Sequence, residues 1–187
     1  VVIPCFNEEA TIDALVGMVL DADTCGLELG VVIVDDGSRD SSFEKARALS
    51  EGDARVKTAR HETNRGKGAA VITGFSIATG DIVVVQDADL EYNPADYSKL
   101  MLPVVRFDAD IVMGSRLVGA EYTRVSYFWH RIGNWIITFL FNILNNTTFT
   151  DVYSCYLMYR RELVSPEALV TEGWEQHAEI LSRAVGG

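Results

Sequence analysis

Three runs of β-branched residues, Val1-Val2-Ile3, Val31-Val32-Ile33-Val34 and Ile82-Val83-Val84-Val85, constrain the fold more than any other feature. Each is continuous rather than alternating, so each reads as a strand covered on both faces, as in a mainly parallel sheet between helices. A fourth strand is expected over 110–113. Between the strands, the spacing predicts a helix over 8–20, with Ile12, Leu15, Val16 and Val19 on one face. A second is predicted over 42–50 behind the capping pair Asp40-Ser41, and others over 68–79 and, behind Pro94, over 95–107. This alternation predicts an α/β fold of three layers, αβα, with a mostly parallel central sheet and right-handed crossovers. No internal repeat or long linker divides the chain, so one domain over 1–187 is expected.

In an open parallel sheet, ligands bind at the carboxyl ends of the strands. The first run leads into Pro4-Cys5-Phe6-Asn7-Glu8-Glu9 and the second into Asp35-Asp36-Gly37-Ser38. The third leads into Gln86-Asp87-Ala88-Asp89-Leu90-Glu91, and the fourth into Gly114-Ser115-Arg116. A lone Asp-Gly-Ser is ordinary turn chemistry. Four polar clusters at four strand ends together favour a ligand site.

Charge narrows the ligand. With 16 Lys+Arg against 27 Asp+Glu, the net charge is −11, which argues against a nucleic-acid partner because phosphate backbones need a basic face. A phosphorylated ligand then has to be met by a metal ion or by locally clustered cations. No Gly-rich turn follows the first strand, so the dinucleotide fingerprint fails, and Gly66-Lys67-Gly68 is too short for a Walker loop. That segment still offers Lys67 and a helix start to a phosphate, or is simply a turn. Three cysteines at wide spacing (Cys5, Cys25, Cys155) predict neither a disulfide partner nor a zinc site, and a reducing compartment.

Asp87-Ala88-Asp89 is the sharpest chemical signal. Carboxylates at i and i+2 leaving an extended segment project to one side and can share a hard cation. Mg²⁺ or Mn²⁺ suits such a site, since it keeps positions for water and substrate phosphates. Glu91, two residues on, is a further candidate ligand.

Together with Asn64-Arg65-Gly66-Lys67-Gly68, these motifs resemble family 2 glycosyltransferases of the GT-A fold, a Rossmann-like nucleotide-diphospho-sugar transferase fold. Within that family they are similar to the dolichyl-phosphate mannosyltransferase and polyprenyl-phosphate glycosyltransferase branch. Tyr127-Phe128-Trp129-His130, Gly133-Asn134 and the stretch from Thr150-Asp151 to Cys155-Tyr156 resemble one bacterial subgroup of it. The resemblance implies a nucleotide-sugar and metal half over 1–116 and an acceptor, membrane-proximal half over 117–187. Pro4, Phe6, Glu8, Val34 and Asp36 would line the nucleoside pocket, with Lys67 and Arg116 near the phosphates. Asp87, Ala88 and Asp89 would hold metal and diphosphate, with Glu91 standing where mannosyltransferase relatives often have Gln. The subgroup's Phe-Glu-x-Glu stretch reads Trp174-Glu175-Gln176-His177-Ala178-Glu179 here, and Glu179 keeps its place. The chain starts without Met inside an apolar run and ends on Gly186-Gly187, so truncation at both ends is expected.

One stretch of the acceptor half reverses the sign of charge. Residues 118–161 carry Arg124, Arg131, Arg160 and Arg161 against Glu121 and Asp151. They also hold Tyr127, Phe128, Trp129, Trp135, Phe139 and Phe141. The apolar run over 132–144 is well short of the ~20 residues that span a bilayer. It reads either as an interfacial helix on a membrane surface or as an amphipathic core helix. A final amphipathic helix is expected over 174–184, and His61, His130 and His177 indicate no histidine metal site.

The favoured reading is an inverting, metal-dependent transfer of a hexose from a nucleotide sugar of the GDP-mannose or UDP-glucose type to a polyprenyl phosphate. Arg116, Arg124 and Arg131 would meet the acceptor phosphate, with Arg160 a further candidate. The protein would act as a peripheral enzyme on the cytoplasmic membrane face. A phosphate acceptor is already ionised near neutral pH and needs no strong base, whereas a sugar hydroxyl, as in polysaccharide or glycolipid synthesis, would need one. Asp151 is then the residue to test, unless it is a cap. Outside sugar transfer, the D-x-D string also fits a haloacid-dehalogenase-type phosphohydrolase, which needs D-x-D-x-[TV] near the first strand. A non-catalytic relative that binds nucleotide sugar without turnover would be expected to lack one of the two carboxylates, and both are present.

Overall fold

The computed structural model describes residues 1–114, 128–152, 154, 156–173 and 175–186. In chain order the elements are β1 (Val2–Cys5), α1 (Ile12–Leu20), β2 (Val31–Asp35), α2 (Ser42–Gly52), β3 (Val56–Arg60) and α3 (Lys67–Ile77). They continue with β4 (Ile82–Val84), α4 (Tyr97–Phe107), β5 (Ile111–Met113), α5 (Phe128–Asn145), β6 (Leu157–Arg160) and α6 (Gln176–Gly186). Two of these, β3 and β6, are absent from the sequence-based expectation.

β1, β2 and β3 form a parallel set, with Val2 opposite Val32 and Val32 opposite Lys57. β6 lies antiparallel between β4 and β5, with Val83 opposite Tyr159 and Val112 opposite Met158. A parallel bridge between Val2 and Val85 joins the two sets, reinforced by Gln86 N donating to Val2 O at 2.9 Å. β4 is therefore an interior strand between β1 and β6. The sheet is parallel where the polar strand ends converge and mixed beyond.

Alternate residues of the central strands point into opposite layers. Ile3, Val31, Ile33, Val84 and Met158 pack with Ile12, Leu15, Val16 and Val19 of α1 and with Tyr97, Leu100, Met101 and Val104 of α4. Val2, Val83, Val85, Leu157 and Tyr159 pack with Val71 and Phe75 of α3 and Ile180 and Leu181 of α6. Burial on both faces is what the unbroken Val/Ile runs require. The predicted face of α1 is the buried one: all four of its residues are fully enclosed.

Helix entries correct two local expectations. Ser41 makes no capping bond; Asp40 takes that role, its Oδ1 accepting from Ser42 N at 3.0 Å and Ser42 Oγ at 2.6 Å. Pro94 opens a single 3₁₀ turn (Pro94–Asp96) before α4, capped by Asn93 Oδ1 accepting from Ala95 N.

α3 lies close on β1 because Gly74 has no side chain; a Cβ there would overlap Val2 Cγ1. Val2 is fully buried and β-branched, so it cannot move aside. Gly74→Ala is expected to lower stability by ~1–3 kcal/mol, the usual cost of overpacking, read as an earlier urea unfolding midpoint.

Candidate functional site

A cleft of about 310 Å³ opens at the carboxyl ends of the parallel strands. The β1 end supplies Pro4, Cys5, Phe6 and Glu8; the β2 end supplies Asp36. The segment leading into α3 supplies Asn64, Lys67 and Ala70, and the β4 end supplies Asp87, Ala88 and Asp89. Eight residues singled out in the sequence thus meet in one cleft: Pro4, Phe6, Glu8, Asp36, Lys67, Asp87, Ala88 and Asp89. A second cleft, near Phe75, Arg161 and Glu167, shares no residue with it.

The loops after β1 and β2 lock reciprocally. Asn7 N donates to Ser38 Oγ at 2.9 Å, Arg39 N donates back to Asn7 Oδ1 at 3.0 Å, and Glu8 N donates to Ser42 Oγ at 2.7 Å. The Glu8 carboxylate accepts from Thr11 Oγ1 at 2.8 Å. Asp35 is buried beside Arg60, whose Nε lies 3.2 Å from Oδ2. Burial, and then the nearby Asp35 charge, pushes the Cys5 thiol up to about 12. Cys5 therefore lines the cleft as a neutral thiol and not as a nucleophile.

Asp36 is buried and accepts three hydrogen bonds. Oδ1 takes His61 Nδ1 at 2.6 Å and Arg65 N at 3.0 Å, and Oδ2 takes Gly66 N at 2.8 Å. It thereby clamps the loop that carries Asn64 and Lys67. Gly37 lets this loop pass, since a Cβ there would lie 2.7 Å from the Thr63 carbonyl carbon and φ is +74°.

At the β4 end, Lys67 Nζ lies 2.5 Å from Asp87 Oδ1, and Asp89 Oδ1 accepts from Glu91 N at 3.0 Å. Gln86 anchors this loop from beneath: its Nε2 donates to Asp87 O and Tyr92 O, while its Oε1 accepts from Tyr97 OH at 3.0 Å. Burial keeps the Tyr97 phenol well above its ordinary range, so it stays a donor.

The family model described as "Glycosyl transferase family 2" matches residues 1–165. The chain belongs to glycosyltransferase family 2. It is 40% identical over 118 residues to the dolichol-phosphate mannosyltransferase of Pyrococcus furiosus, a match covering 63% of this chain and 33% of that protein. Over 171 residues it is 34% identical to the undecaprenyl-phosphate 4-deoxy-4-formamido-L-arabinose transferase of Pseudomonas aeruginosa, covering 88% of this chain and 47% of that one. The chain thus spans between a third and a half of these two relatives. Its fold is that of glucosyl-3-phosphoglycerate synthase from Mycobacterium tuberculosis, solved with Mn²⁺, UDP and glucosyl-3-phosphoglycerate. That likeness has a TM-score of 0.69 at 22% identity and covers 96% of this chain and 62% of the other. The fold is GT-A, and membership of this family sets the phosphohydrolase reading aside.

Other expected site residues of this glycosyltransferase domain fall elsewhere. Val34 does not line the cleft; it is fully buried against Val32 and Ala70, one layer beneath. Glu91 is exposed and outside the lining, and it does not converge with Asp87 and Asp89 into a three-carboxylate group. Arg116 and Arg124 lie outside the described residues, as does Cys155. Arg131 is exposed on α5. Asp151 is fully buried, its Oδ1 accepting from Asn134 Nδ2 at 2.9 Å.

The start of α3 is not open to a phosphate through Gly68. Gly68 N donates to Glu172 O at 2.8 Å, and a Cβ on Gly68 would lie 2.5 Å from the Glu172 carbonyl carbon. Gln176 Nε2 donates to Gly68 O at 2.8 Å and binds the same strap again at Thr171 O. Lys67 faces the cleft from this helix start, beside Asn64 and Ala70. The contacts of Gly68 to Glu172 and Gln176 are long-range, and the local motif gave no sign of them.

Glu179 fastens that strap. Desolvation works against its ionisation, but hydrogen bonds from the Thr171 hydroxyl and amide, Arg183 and Val170 N outweigh it and hold the carboxyl down at about 2. A depressed folded-state pKa stabilises above the unfolded value near 4.5, and that contribution fades as pH falls towards 2. Glu179→Gln is therefore expected to be less stable than wild type at pH 7. Chemical denaturation at stepped pH should show the gap closing between about 4.5 and 2.

α5 sets its polar side inward. Asn134 bonds Asp151, Thr138 Oγ1 accepts from Val152 N at 3.3 Å, and Asn142 bonds Thr147 and Phe149. Asn145 Oδ1 accepts from Ser182 Oγ on α6 at 3.0 Å. The opposite side exposes Trp129, Trp135, Ile136, Phe139, Leu140, Ile143 and Leu144, with Trp135 64% and Leu144 83% exposed. The reading of this segment as a core helix is not what is found.

Proposed function

We propose that this chain holds the catalytic centre of an inverting glycosyltransferase that moves a hexose from a nucleotide sugar, of the GDP-mannose or UDP-glucose type, to a polyprenyl phosphate. The observation that carries this reading is the single cleft in which a half-exposed aromatic (Phe6), a cation (Lys67) and the Asp87-Ala88-Asp89 turn meet. Names of two relatives, which act on dolichol phosphate and undecaprenyl phosphate, support the acceptor class.

Asp87 and Asp89 fit Mg²⁺ or Mn²⁺. They offer hard oxygen donors on one short turn, and an ion of this kind needs only one or two carboxylates beside water and phosphate oxygens. When bound there, it would supply positive charge to the departing nucleoside diphosphate. Phe6 and Pro4 would pack on the nucleoside, Asp36 would accept from it, and Lys67 would face the diphosphate. An acceptor phosphate oxygen forms the bond to the anomeric carbon as the bond to the diphosphate oxygen breaks, which inverts that centre. The oxygen is already anionic, so the chain's task is to hold and orient. Asp151 is sealed against Asn134, which lends no support to a hydroxyl acceptor with Asp151 as base. Arg116, Arg124 and Arg131 remain the proposed contacts to the acceptor phosphate.

The outward face of α5 is proposed to lie on the cytoplasmic surface of the membrane, which brings the lipid acceptor to the cleft. No described helix is long and apolar enough to cross a bilayer. Tryptophans on an exposed apolar face with Arg131 beside them suit the headgroup plane, where each Arg adds about 1 kcal/mol with anionic lipid.

Two measurements test the reading. Full-length protein supplied with nucleotide sugars, polyprenyl phosphate and Mg²⁺ or Mn²⁺ is expected to release nucleoside diphosphate and a glycolipid. Asp89→Ala is expected to lose at least ~10²-fold of that rate, and full activity in EDTA would refute the metal role. In flotation with anionic liposomes, wild type is expected to rise with the vesicles, while Trp135→Glu with Leu144→Glu stays at the bottom. Co-flotation of that variant would remove α5 as the membrane contact.

A further inference from the structure

We propose that His61 is a positioning residue for the donor: its Nδ1–H fixes the Asp36 carboxylate in the orientation in which Asp36 meets the nucleoside. The inference rests on the donor site proposed above.

His61 follows β3 directly, and its amide donates to Asp35 O at 2.8 Å, so its main chain is pinned beside Asp36. The ring is buried, and both its nitrogens are engaged. Nδ1 lies 2.6 Å from Asp36 Oδ1, and Nε2 lies 2.9 Å from Thr73 Oγ1. The Asp36 carboxylate is the acceptor towards Arg65 N and Gly66 N, and in the same role towards His61 it leaves the shared proton on Nδ1. Thr73 belongs to α3, the helix that brings Lys67 and Ala70 to the cleft. The ring is therefore a brace between the β2 end and α3, two walls of one cleft.

A carboxylate offers about four acceptor positions. Oδ1 uses two, for His61 and Arg65 N, and Oδ2 uses one, for Gly66 N. One direction, on Oδ2, is left for an N–H or O–H of a nucleoside. The two amides come from a single turn and hold one oxygen each, so the carboxylate moves with that turn. His61 adds a donor from the end of a different element, β3, and ties the carboxylate to the sheet as well. Removing it leaves the fourth acceptor direction unaimed, which weakens donor binding more than it slows a bound donor.

The test is equilibrium binding of UDP and GDP to the full-length protein, with donor KM and kcat measured on the same samples. His61→Ala is expected to weaken nucleotide binding and raise donor KM by about 10- to 100-fold, the loss given by one hydrogen bond to a charged group, with kcat changing far less. His61→Asn places Nδ2 as many bonds from Cα as Nδ1, and it is expected to restore most of the affinity. Thr73→Val, which leaves the ring without its second anchor, is expected to fall between. A folded His61→Ala that binds nucleotide like wild type would overturn the proposal, as would a folded His61→Asn no better than His61→Ala. Should His61→Ala fail to fold, the wild-type Nδ1 proton is followed by NMR as UDP or GDP is added. A shift on saturation supports the role, and an unmoved resonance overturns it. Wild type that binds neither nucleotide defeats the donor-site reading, and this inference with it; that outcome is distinct from a wild type that binds and a His61→Ala that binds equally well.

Discussion

Burial of β1, β2 and β4 on both faces is the constraint from which the rest follows. A strand sandwiched between helices can carry almost no polar side chain, because each would need a partner in the core. Polar chemistry is then confined to the places where strands end and the chain turns. In a parallel set those ends lie side by side, so clusters far apart in sequence become neighbours. Pro4, Asp36 and Asp87 meet because Val2, Val32 and Val85 are paired two to four residues before them on their strands.

Gathering Glu8, Asp35, Asp36, Asp87 and Asp89 at one end of an acidic protein raises a second problem, since like charges at short range are costly wherever water is sparse. Each is held by a donor: Thr11 at Glu8, Arg60 at Asp35, two amides and His61 at Asp36, Lys67 at Asp87, and the Glu91 amide at Asp89. These contacts serve packing and function together. They link β1 to β2, β2 to the loop before α3, and α3 to the β4 end. Among the described residues, a diphosphate entering this cleft would meet one lysine among carboxylates, a setting whose chemistry a divalent cation fits.

The parts legible in the sequence are those whose signal is local. Unbroken β-branched runs marked the doubly covered strands, and the 3.6 period marked the α1 face through Ile12, Leu15, Val16 and Val19. β3 escaped because it has one strand neighbour; Val56 alone is buried, and Lys57 and Arg60 give it a polar appearance. β6 escaped because Leu157-Met158-Tyr159-Arg160 has no β-branched residue and joins β4 and β5 from far along the chain. At the cleft, residues next to a strand end form the lining, whereas Val34 lies one layer beneath it. His61 was legible only as an isolated histidine, since Asp36 and Thr73 lie 25 and 12 positions away. The occupied Gly68 amide at the start of α3 likewise depends on Glu172, over a hundred residues on.

α5 shows how hydrogen bonds can decide which way a helix faces. Its polar side chains at 134, 138, 142 and 145 recur at helical spacing, opposite a broad apolar face. Turning the helix over would enclose Trp135, Ile136 and Phe139, worth roughly 1.5–3 kcal/mol each. It would also strip partners from the Asp151 carboxylate, Val152 N, Phe149 N and Phe149 O, groups already folded beneath the helix. Orphaned buried polar groups cost about 1–3 kcal/mol each, more when charged, and Asp151 is fully enclosed. The penalty therefore offsets the gain, and α6 adds a further contact through Ser182. The orientation observed keeps every one of these bonds and leaves the apolar stripe outward. A patch of that size on a protein of net charge −11 is not a solubility feature. It is an exposed apolar stripe inside the stretch 118–161, where four arginines stand against two acids.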